Sequence, residues 1–373
     1  MEKNKPCCAP KCCDTAQSFE SQNSNYPSWV VDEIDTPIGK IPRIKTQTEF
    51  SAALGALKVR LGINRDNYKV PPGLYAVGDP TENSPVLSTA NYKLTFDVLR
   101  KELTGQNLWI IVLDTRGINV WCAAGKGTFG TAELIRRIEL ARLEKVVSHK
   151  NIILPQLGAP GVAAHEVRKN TGFKVTYGPV YAKDLPAFLQ NGQATTAMRK
   201  VHFTLVDRLI VIPVELNYIF KVVPALFILF LLFNLASPGE FDFVSSFMQS
   251  VSNLVPYVIA IVLGTVGIAA LLPYIPFRSF AAKGLLLGLA WSAFTVRYHA
   301  VFNFPENSLV AAANILFLTA LTSFFALNFT GSTTYTSVSG VQKETLYTIP
   351  LIAVGTLIGL GLAIAYKIML FRG

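Results

Sequence analysis

The 373-residue sequence predicts a Rossmann-like α/β domain followed by an all-α transmembrane bundle of five helices. Charge is the first observation behind this fold class, because residues 1–220 hold 27 of the 34 Lys and Arg and 20 of the 24 Asp and Glu. The nearly uncharged second half indicates a lipid rather than an aqueous environment. The second observation is a strand–loop–helix pattern that repeats in the first half. The third is a series of long apolar stretches in the second half.

The predicted strands and helices of the first half alternate along the chain. Short apolar runs bounded by Gly, Pro and Asn predict strands at 108–113, 151–154 and 173–177, and a short strand followed by a polar turn within 85–92. Helical periodicity predicts helices over 95–103, 131–147, 162–169 and 185–189. This alternation predicts a parallel sheet with right-handed crossovers, whose ligands bind at the carboxyl ends of the strands. We place the α/β domain at residues 31–195; the pattern over 29–67 is mixed and predicts no definite element.

Five apolar stretches predict the transmembrane helices: 222–236, 254–273, 280–298, 309–327 and 349–368. This domain occupies 220–373, and a polar loop at 328–347 precedes its last helix. Lys283 and Arg297 lie near the ends of the third stretch, so we expect both side chains to extend to the headgroup region. Residues 196–219 alternate basic and apolar side chains at helical spacing, which predicts an amphipathic linker helix along the headgroups. A last helix of the soluble domain is the alternative for that segment.

The charge distribution also bears on location. The first thirty residues contain no apolar signal-peptide core, so we expect the α/β domain on the cytoplasmic side of the cell inner membrane. The net charge of +10 fits attraction to anionic lipid headgroups. The sequence has no long Lys/Arg run and no basic stripe interleaved with aromatic residues, so nucleic acid is not an expected partner.

The clearest chemical signal is a run that follows the apolar stretch 108–113 and its turn: Asn119-Val120-Trp121-Cys122-Ala123-Ala124-Gly125-Lys126. Small residues around Cys122 would let a bulky planar group approach the backbone, and Gly125 would keep that surface flat. If Cys122 lies near the start of a helix, the exposed N–H groups favour its thiolate, which is the form that binds a metal.

Three other interpretations of this run compete. A phosphate-binding loop is the weakest, because Val120 and Gly127 stand where its first Gly and its Ser or Thr belong. A nucleophilic cysteine needs a base, and the nearby His149 and His165 are in no recognisable pattern. An inert, buried cysteine is the commonest alternative.

The octapeptide 119–126 resembles the signature of the corrinoid protein of microbial mercury methylation. The segments 72–78, 84–97 and 154–165 also resemble the corrinoid domain of the corrinoid iron–sulfur proteins of the acetyl-CoA pathway, while the five apolar stretches match only the mercury family. The resemblance implies a corrinoid-dependent methyltransferase subunit that moves a methyl group from cobalt to inorganic Hg(II). A membrane-anchored corrinoid methyl carrier in one-carbon metabolism is the alternative.

The resemblance also implies roles for individual residues. Cys122 would be the catalytic residue and the lower axial cobalt ligand, and residues 119–126 would cover that face of the corrin ring. A donating thiolate would ease transfer of the methyl group to an electrophile. Further contacts are expected with the corrin or its nucleotide tail at Thr89, Ala90, Asn91, Tyr92, Gln156, Gly158, Ala159, Gly161, Gly178 and Pro179.

The implied partners are a small ferredoxin with two 4Fe–4S clusters as electron donor and a folate or pterin system as methyl donor. A thiol cluster in the tail, which composition predicts to be disordered over 1–30, comprises Cys7, Cys8, Cys12 and Cys13. Soft thiolates prefer soft metal ions, so this cluster is a candidate mercury site. A dispensable tail is the alternative.

Overall fold

The computed structural model describes residues 26–217, 219–238, 242–329 and 338–372. Within these ranges the chain forms an α/β part followed by a helical part. Seven strands build one sheet in the α/β part: β1 (Val30–Thr36), β2 (Gly39–Ile44), β3 (Gly73–Val77), β4 (Val86–Ala90), β5 (Leu108–Leu113), β6 (Asn151–Leu154) and β7 (Lys174–Tyr177). The prediction of an α/β domain before a helical, apolar region is therefore confirmed.

The sheet has the strand order β1-β2-β3-β5-β4-β6-β7. Strands β5, β4, β6 and β7 are mutually parallel, whereas β3 runs antiparallel to β5 and β1 antiparallel to β2. The sheet is thus mixed, and the predicted parallel arrangement holds for these four strands and for the separate pair of β2 and β3. Strand β3 was not predicted, because the run Pro71-Pro72-Gly73 is typical of a turn, although Gly73 already pairs with Val112 in the sheet.

Helices cover both faces of the sheet. The α/β part contains α1 (Phe50–Arg60), α2 (Lys93–Glu102), α3 (Val120–Gly125), α4 (Thr131–Leu140), α5 (Ala164–Thr171) and α6 (Leu185–Asn191). One buried cluster joins α4 and α5 to the sheet through Leu134, Ile138 and Val167. A second joins α2 and α6 to the other face through Phe96, Leu103 and Phe188. Because both faces are covered, β5 can be apolar along its whole length.

The predicted helix 131–147 is shorter in the structure. Helix α4 ends at Leu140, and Arg142 then adopts a left-handed backbone with φ of 41°. A 3-10 turn, Leu143–Lys145, follows and buries Leu143 in the core. The apolar periodicity therefore continues beyond the helix because the turn also faces the core.

The helical part contains α7 (Leu205–Leu216), α8 (Ile219–Leu235), α9 (Phe243–Val262), α10 (Ile268–Leu271), α11 (Phe280–Arg297), α12 (Ser308–Asn328) and α13 (Val338–Arg372). A π-helical segment, Leu263–Gly267, joins α9 to α10. Helix α7 begins with a capping box in which Thr204 and Asp207 bind each other's backbone N–H groups. The second half of the predicted loop 328–347 is helical, because α13 begins at Val338.

Three of these helical segments are long and apolar enough to cross a membrane: Phe243–Leu271, α12 and α13. A fourth is obtained if α7 and α8, which meet at a bend of 54°, count as one broken span. The sequence predicted five. Helix α8 has only 17 residues, and α11 includes the cations Lys283 and Arg297 within its 18 residues.

Lys283 does not extend to the headgroups as expected. Its side chain is 6% exposed, and its ammonium donates to the Leu272 carbonyl at 2.5 Å. Arg208 of α7 binds neighbouring carbonyls, those of Ala269 and Ala270, in the same way. The two cations therefore satisfy carbonyl groups at the carboxyl end of α10, where the helix dipole favours positive charge.

Candidate functional site

The connections of the sheet create a cleft at its carboxyl edge. From β4 the chain goes to β5 on one side, then returns past β4 to β6 on the other. The loops that follow β4 and β6 therefore diverge, which is the arrangement that leaves a ligand-binding crevice in open α/β sheets. A cavity of about 440 Å³ lies at this point. Its size is within the range typical of small-molecule sites.

The lining of the cleft is mostly apolar. Helix α2 contributes Leu94 and Val98, the β6 side contributes Leu154 and Leu157, and the chain after β7 contributes Gly178. Tyr92 and Tyr181 add aromatic rings. Burial raises the pKa of Tyr92 above its ordinary value, with nearby Arg65 opposing the shift, so its hydroxyl is a neutral donor at physiological pH.

Two polar groups of the lining have no partner among the described residues. The Ser88 hydroxyl belongs to a side chain that is 4% exposed, and its oxygen makes no hydrogen bond. The Nε of Arg60, at the end of α1, is likewise buried and unpaired. Buried polar groups without partners are costly, so both atoms favour a ligand that supplies hydrogen bonds inside the cleft.

Helix α3 borders this cleft and carries the cysteine. Asn119 is its N-cap, and the Asn119 Oδ1 accepts a hydrogen bond from the Cys122 backbone N–H at 2.9 Å. The cap fixes the first turn of a helix too short to be stable by itself. Cys122 therefore lies in the first turn of a helix.

The two sides of α3 have different surroundings. Val120, Ala123 and Ala124 are buried in the core of the sheet domain. Trp121 and Cys122 are half-buried and Gly125 is exposed, so these three form the outward face. A Cβ placed on Gly125 would have no atom within 4 Å, which makes the surface beside Cys122 open.

Asn91 connects the loop after β4 with the loop that leads to α3. Its Oδ1 accepts from the Thr115 N–H, the Thr115 hydroxyl and the Gly117 N–H, at 2.9 to 3.1 Å. Its Nδ2 donates to Asp114. Asn91 and Ala90 are fully buried and do not line the cleft. The structure therefore places both residues behind the site rather than within it.

A 3-10 turn, Gln156–Gly161, packs against α3 through its glycines. A Cβ on Gly161 would lie 2.2 Å from the Phe129 carbonyl oxygen and 3.0 Å from the Ala124 Cα. A Cβ on Gly158 would lie 2.5 Å from the Phe129 ring. These two glycines allow close packing, and neither they nor Gln156 nor Ala159 line the cleft.

Of the predicted contact residues, seven line the cleft: Thr89, Tyr92, Asn119, Val120, Trp121, Gly178 and Pro179. Cys122, Gly125 and Lys126 lie beyond its rim, and Ala123 and Ala124 face the core. The predicted tail cysteines Cys7, Cys8, Cys12 and Cys13 lie outside the described residues.

The sequence analysis did not predict Arg60, Ser88 or the face of α2 that carries Leu94 and Val98 as parts of the cleft. Leu94 and Val98 are four residues apart, so the sequence does indicate that they share an apolar face of α2.

No group of three or more His, Cys, Asp and Glu side chains that could hold a metal ion occurs among the residues described. A metal at Cys122 would therefore need further ligands from outside the described residues.

Residues 28–189 match the family of CO dehydrogenase/acetyl-CoA synthase delta subunits. The chain is also similar to gamma subunits of the acetyl-CoA decarbonylase/synthase complex. The subunit of Methanopyrus kandleri is 36% identical over 129 residues, which are 34% of this chain and 27% of that protein. The subunit of Methanothermobacter thermautotrophicus is 33% identical over 147 residues, which are 38% of this chain and 32% of that protein. The chain thus spans about a third or less of these relatives. The family match places the similarity in the α/β part, at residues 28–189.

Proposed function

We propose that the chain is a membrane-anchored corrinoid protein that transfers methyl groups. The observation that carries the proposal is the position of Cys122, held in the first turn of α3 by the Asn119 cap and presented beside the open surface of Gly125. The relation to acetyl-CoA decarbonylase/synthase subunits and the resemblance of residues 119–126 to a corrinoid signature support the same conclusion.

The donor set near α3 fits such a cofactor. A corrinoid would bring its own ring nitrogen ligands for cobalt, so one protein side chain would be enough to hold the metal. The half-buried Cys122 thiol could be that side chain. A thiolate at this place would tune the metal through its electron donation.

Different residues would contact different parts of the cofactor. Cys122 would hold the metal, and Asn119 would keep the thiol in a fixed orientation. The apolar cleft would enclose part of the cofactor, with the Ser88 hydroxyl and Arg60 Nε donating to its polar groups. When bound, the corrinoid would carry the methyl group on its cobalt.

For the methyl acceptor we propose inorganic Hg(II), because the octapeptide matches the mercury family in particular. A second candidate is a methyl carrier of one-carbon metabolism. The specific observation in its favour is that the similar curated proteins are subunits of acetyl-CoA decarbonylase/synthase.

The proposal requires protein partners. A cobalt centre must be reduced between turnovers, and the described residues contain no clustered cysteine ligands for an iron–sulfur centre. We propose the small ferredoxin with two 4Fe–4S clusters as electron donor and a folate or pterin system as methyl donor. The cysteines of the tail would collect Hg(II), and the helical part would keep the α/β domain on the cytoplasmic face of the inner membrane.

The test is a methyl-transfer assay with the anaerobically purified full chain, a corrinoid, a reductant and the folate or pterin methyl donor, with and without Hg(II). We expect methylmercury from the native chain and none from Cys122→Ala. The matched control replaces all four tail cysteines by Ala, which should retain product at saturating Hg(II). A methylated one-carbon product that forms equally without Hg(II) would favour the carrier, and full activity of Cys122→Ala would contradict the role of the thiol.

A further inference from the structure

A second cavity lies in the helical part, at the end of α8 that is remote from α7. Its volume is about 600 Å³, and α8, α9, α12 and α13 all contribute to its wall. Most of the wall is apolar and includes Phe230, Phe233, Phe317 and Leu360. Helix α8 packs on α9 and α13 packs on α12, and the two pairs meet where α9 contacts α12 beside the cavity. A cavity between helices is a common place for a ligand site in a bundle.

Lys367 of α13 is the cation of this cavity. Its ammonium donates to the Ser237 hydroxyl at 2.5 Å and lies 4.4 Å from the centre of the Phe233 ring. No carboxylate of the described residues lies within 4.0 Å of it. A lysine within a membrane helix is expensive unless an anion or polar groups compensate it.

Asn314 of α12 provides a second, independent indication of a ligand. Its side chain is 6% exposed, and its Oδ1 accepts from the Tyr257 hydroxyl at 2.7 Å. The structure gives its Nδ2 no acceptor among the described residues, and Asn314 lines the cavity. An amide donor is therefore available on the wall of the cavity.

We propose that this cavity binds an anionic glycerophospholipid. The phosphate would pair with Lys367, an ester carbonyl would accept from the Asn314 Nδ2, and an acyl chain would follow the apolar wall between α8 and α13. This occupant matches the groups of the wall, which offers one cation, one amide donor and hydrocarbon on the remainder. A free phosphate shares only the first of these contacts.

The inference rests on the membrane embedding proposed above, and the two are tested separately. Fractionation comes first: a chain that high salt releases from membranes without detergent would contradict the embedding. Lipid binding is then measured on the full chain without corrinoid, so that a failure of the cofactor proposal does not affect the result.

The lipid test compares phosphatidylglycerol, phosphatidylcholine and glycerol 3-phosphate added to the delipidated full chain in neutral detergent. The readouts are lipid retained per chain and the thermal unfolding midpoint. We expect phosphatidylglycerol to be retained and to raise the midpoint, while glycerol 3-phosphate raises it little. Lys367→Gln should reduce retention about fivefold, the change expected for one lysine–anion attraction near a membrane surface.

Two further variants keep the proposal falsifiable. Arg372→Gln removes a cation of the same helix end that does not line the cavity, and it should retain the lipid as the native chain does. Ala363→Phe fills the cavity and should abolish retention even if Lys367→Gln does not fold. Equal losses in Arg372→Gln and Lys367→Gln, equal retention of both lipids, or stabilisation only by an added neutral quinone would each overturn the proposal.

Discussion

At the scale of single residues, the proposed function depends on how firmly the structure holds Cys122. The Asn119 Oδ1 is the only acceptor that the described structure gives to the Cys122 N–H. The side chain therefore sets the start of α3, the helix that carries the thiol. The outward placement of Cys122 follows from this cap and from the burial of Val120, Ala123 and Ala124 on the opposite side.

Replacing the cap tests this directly. Asn119→Ala should lower the free energy of unfolding by about 1 kcal/mol, because an N-cap acceptor is lost and a helix N–H is left unpaired. Asn119→Asp, which keeps a good capping oxygen, is the matched control and should stay near the native value. Chemical denaturation of both variants gives the comparison; equal losses would show that the hydrogen bond itself is unimportant.

The sequence predicted part of this site. It identified 119–126 as the region of interest, but it could not divide the run into a core face and an outward face, because every residue between Val120 and Gly125 is small or apolar. Arg60 could not have been found, since it lies on a helix that the sequence did not predict. Its place in the cleft depends on how α1 packs near the end of β4.

At the scale of elements, the contact between α3 and the 3-10 turn 156–161 positions the cysteine relative to the cleft. Gly161→Ala should destabilise the chain by about 1–3 kcal/mol, the usual cost of overpacking, because the new methyl group meets backbone atoms of Phe129 and Ala124. Gly125→Ala, on the other side of this contact in α3, is the control, because an added methyl group there has no atom within 4 Å.

Gly125→Ala should leave the stability of the cofactor-free chain unchanged or slightly raised, since Ala favours helix over Gly. The two variants therefore separate packing from cofactor binding. A loss of corrinoid in Gly125→Ala without a loss of stability would agree with a cofactor lying on the outward face. Equal unfolding midpoints of both variants in urea would contradict the close contact at Gly161.

The packing of α1 and α2 around Tyr68 predicts a dependence on pH. Burial, followed by the charge of Asp97, raises the pKa of Tyr68 to about 12. A raised folded-state pKa contributes stability below the unfolded value near 10, and this contribution is lost as the pH rises towards 12. Between about pH 10 and 12, the free energy of unfolding should therefore fall less steeply with pH in Tyr68→Phe than in the native chain. Parallel curves of unfolding free energy against pH would contradict this.

The sequence pattern predicts some strands and helices of the α/β part and not others, for physical reasons. Strands β4 to β7 were predicted because they are short, apolar and bounded by turn residues. Helix α1 was missed because its apolar residues are spread around the helix, with Phe50 and Leu57 exposed and Val59 buried, so the sequence shows no single apolar face. The antiparallel direction of β3 depends on its pairing with β5, a distant contact that local periodicity does not encode.

At the scale of the whole molecule, two parts of one chain present different surfaces. The charge distribution predicted this division, because a lipid environment excludes charge wherever it occurs in the sequence. The number of spans was less predictable. Whether α7 and α8 act as one broken span depends on a bend of 54° between them, and α11 owes part of its burial to neighbouring helices.

The proposed function needs all three levels of structure. The Asn119 cap would orient the thiol, the 3-10 turn 156–161 would position it relative to the cleft, and the helical part would hold the domain at a membrane. The bond between the Cys122 sulfur and a corrinoid cobalt is the claim on which the others depend. Neither the cleft nor the relatives identify that bond, so it needs a measurement of the metal itself.

The most direct test is X-ray absorption at the cobalt edge of the corrinoid-loaded, anaerobically purified full chain. We expect scattering from one sulfur neighbour of the cobalt in the native chain and its disappearance in Cys122→Ala, with corrinoid still present in both samples. A native spectrum with nitrogen or oxygen alone around the cobalt, in a preparation that still transfers methyl groups, would contradict the account.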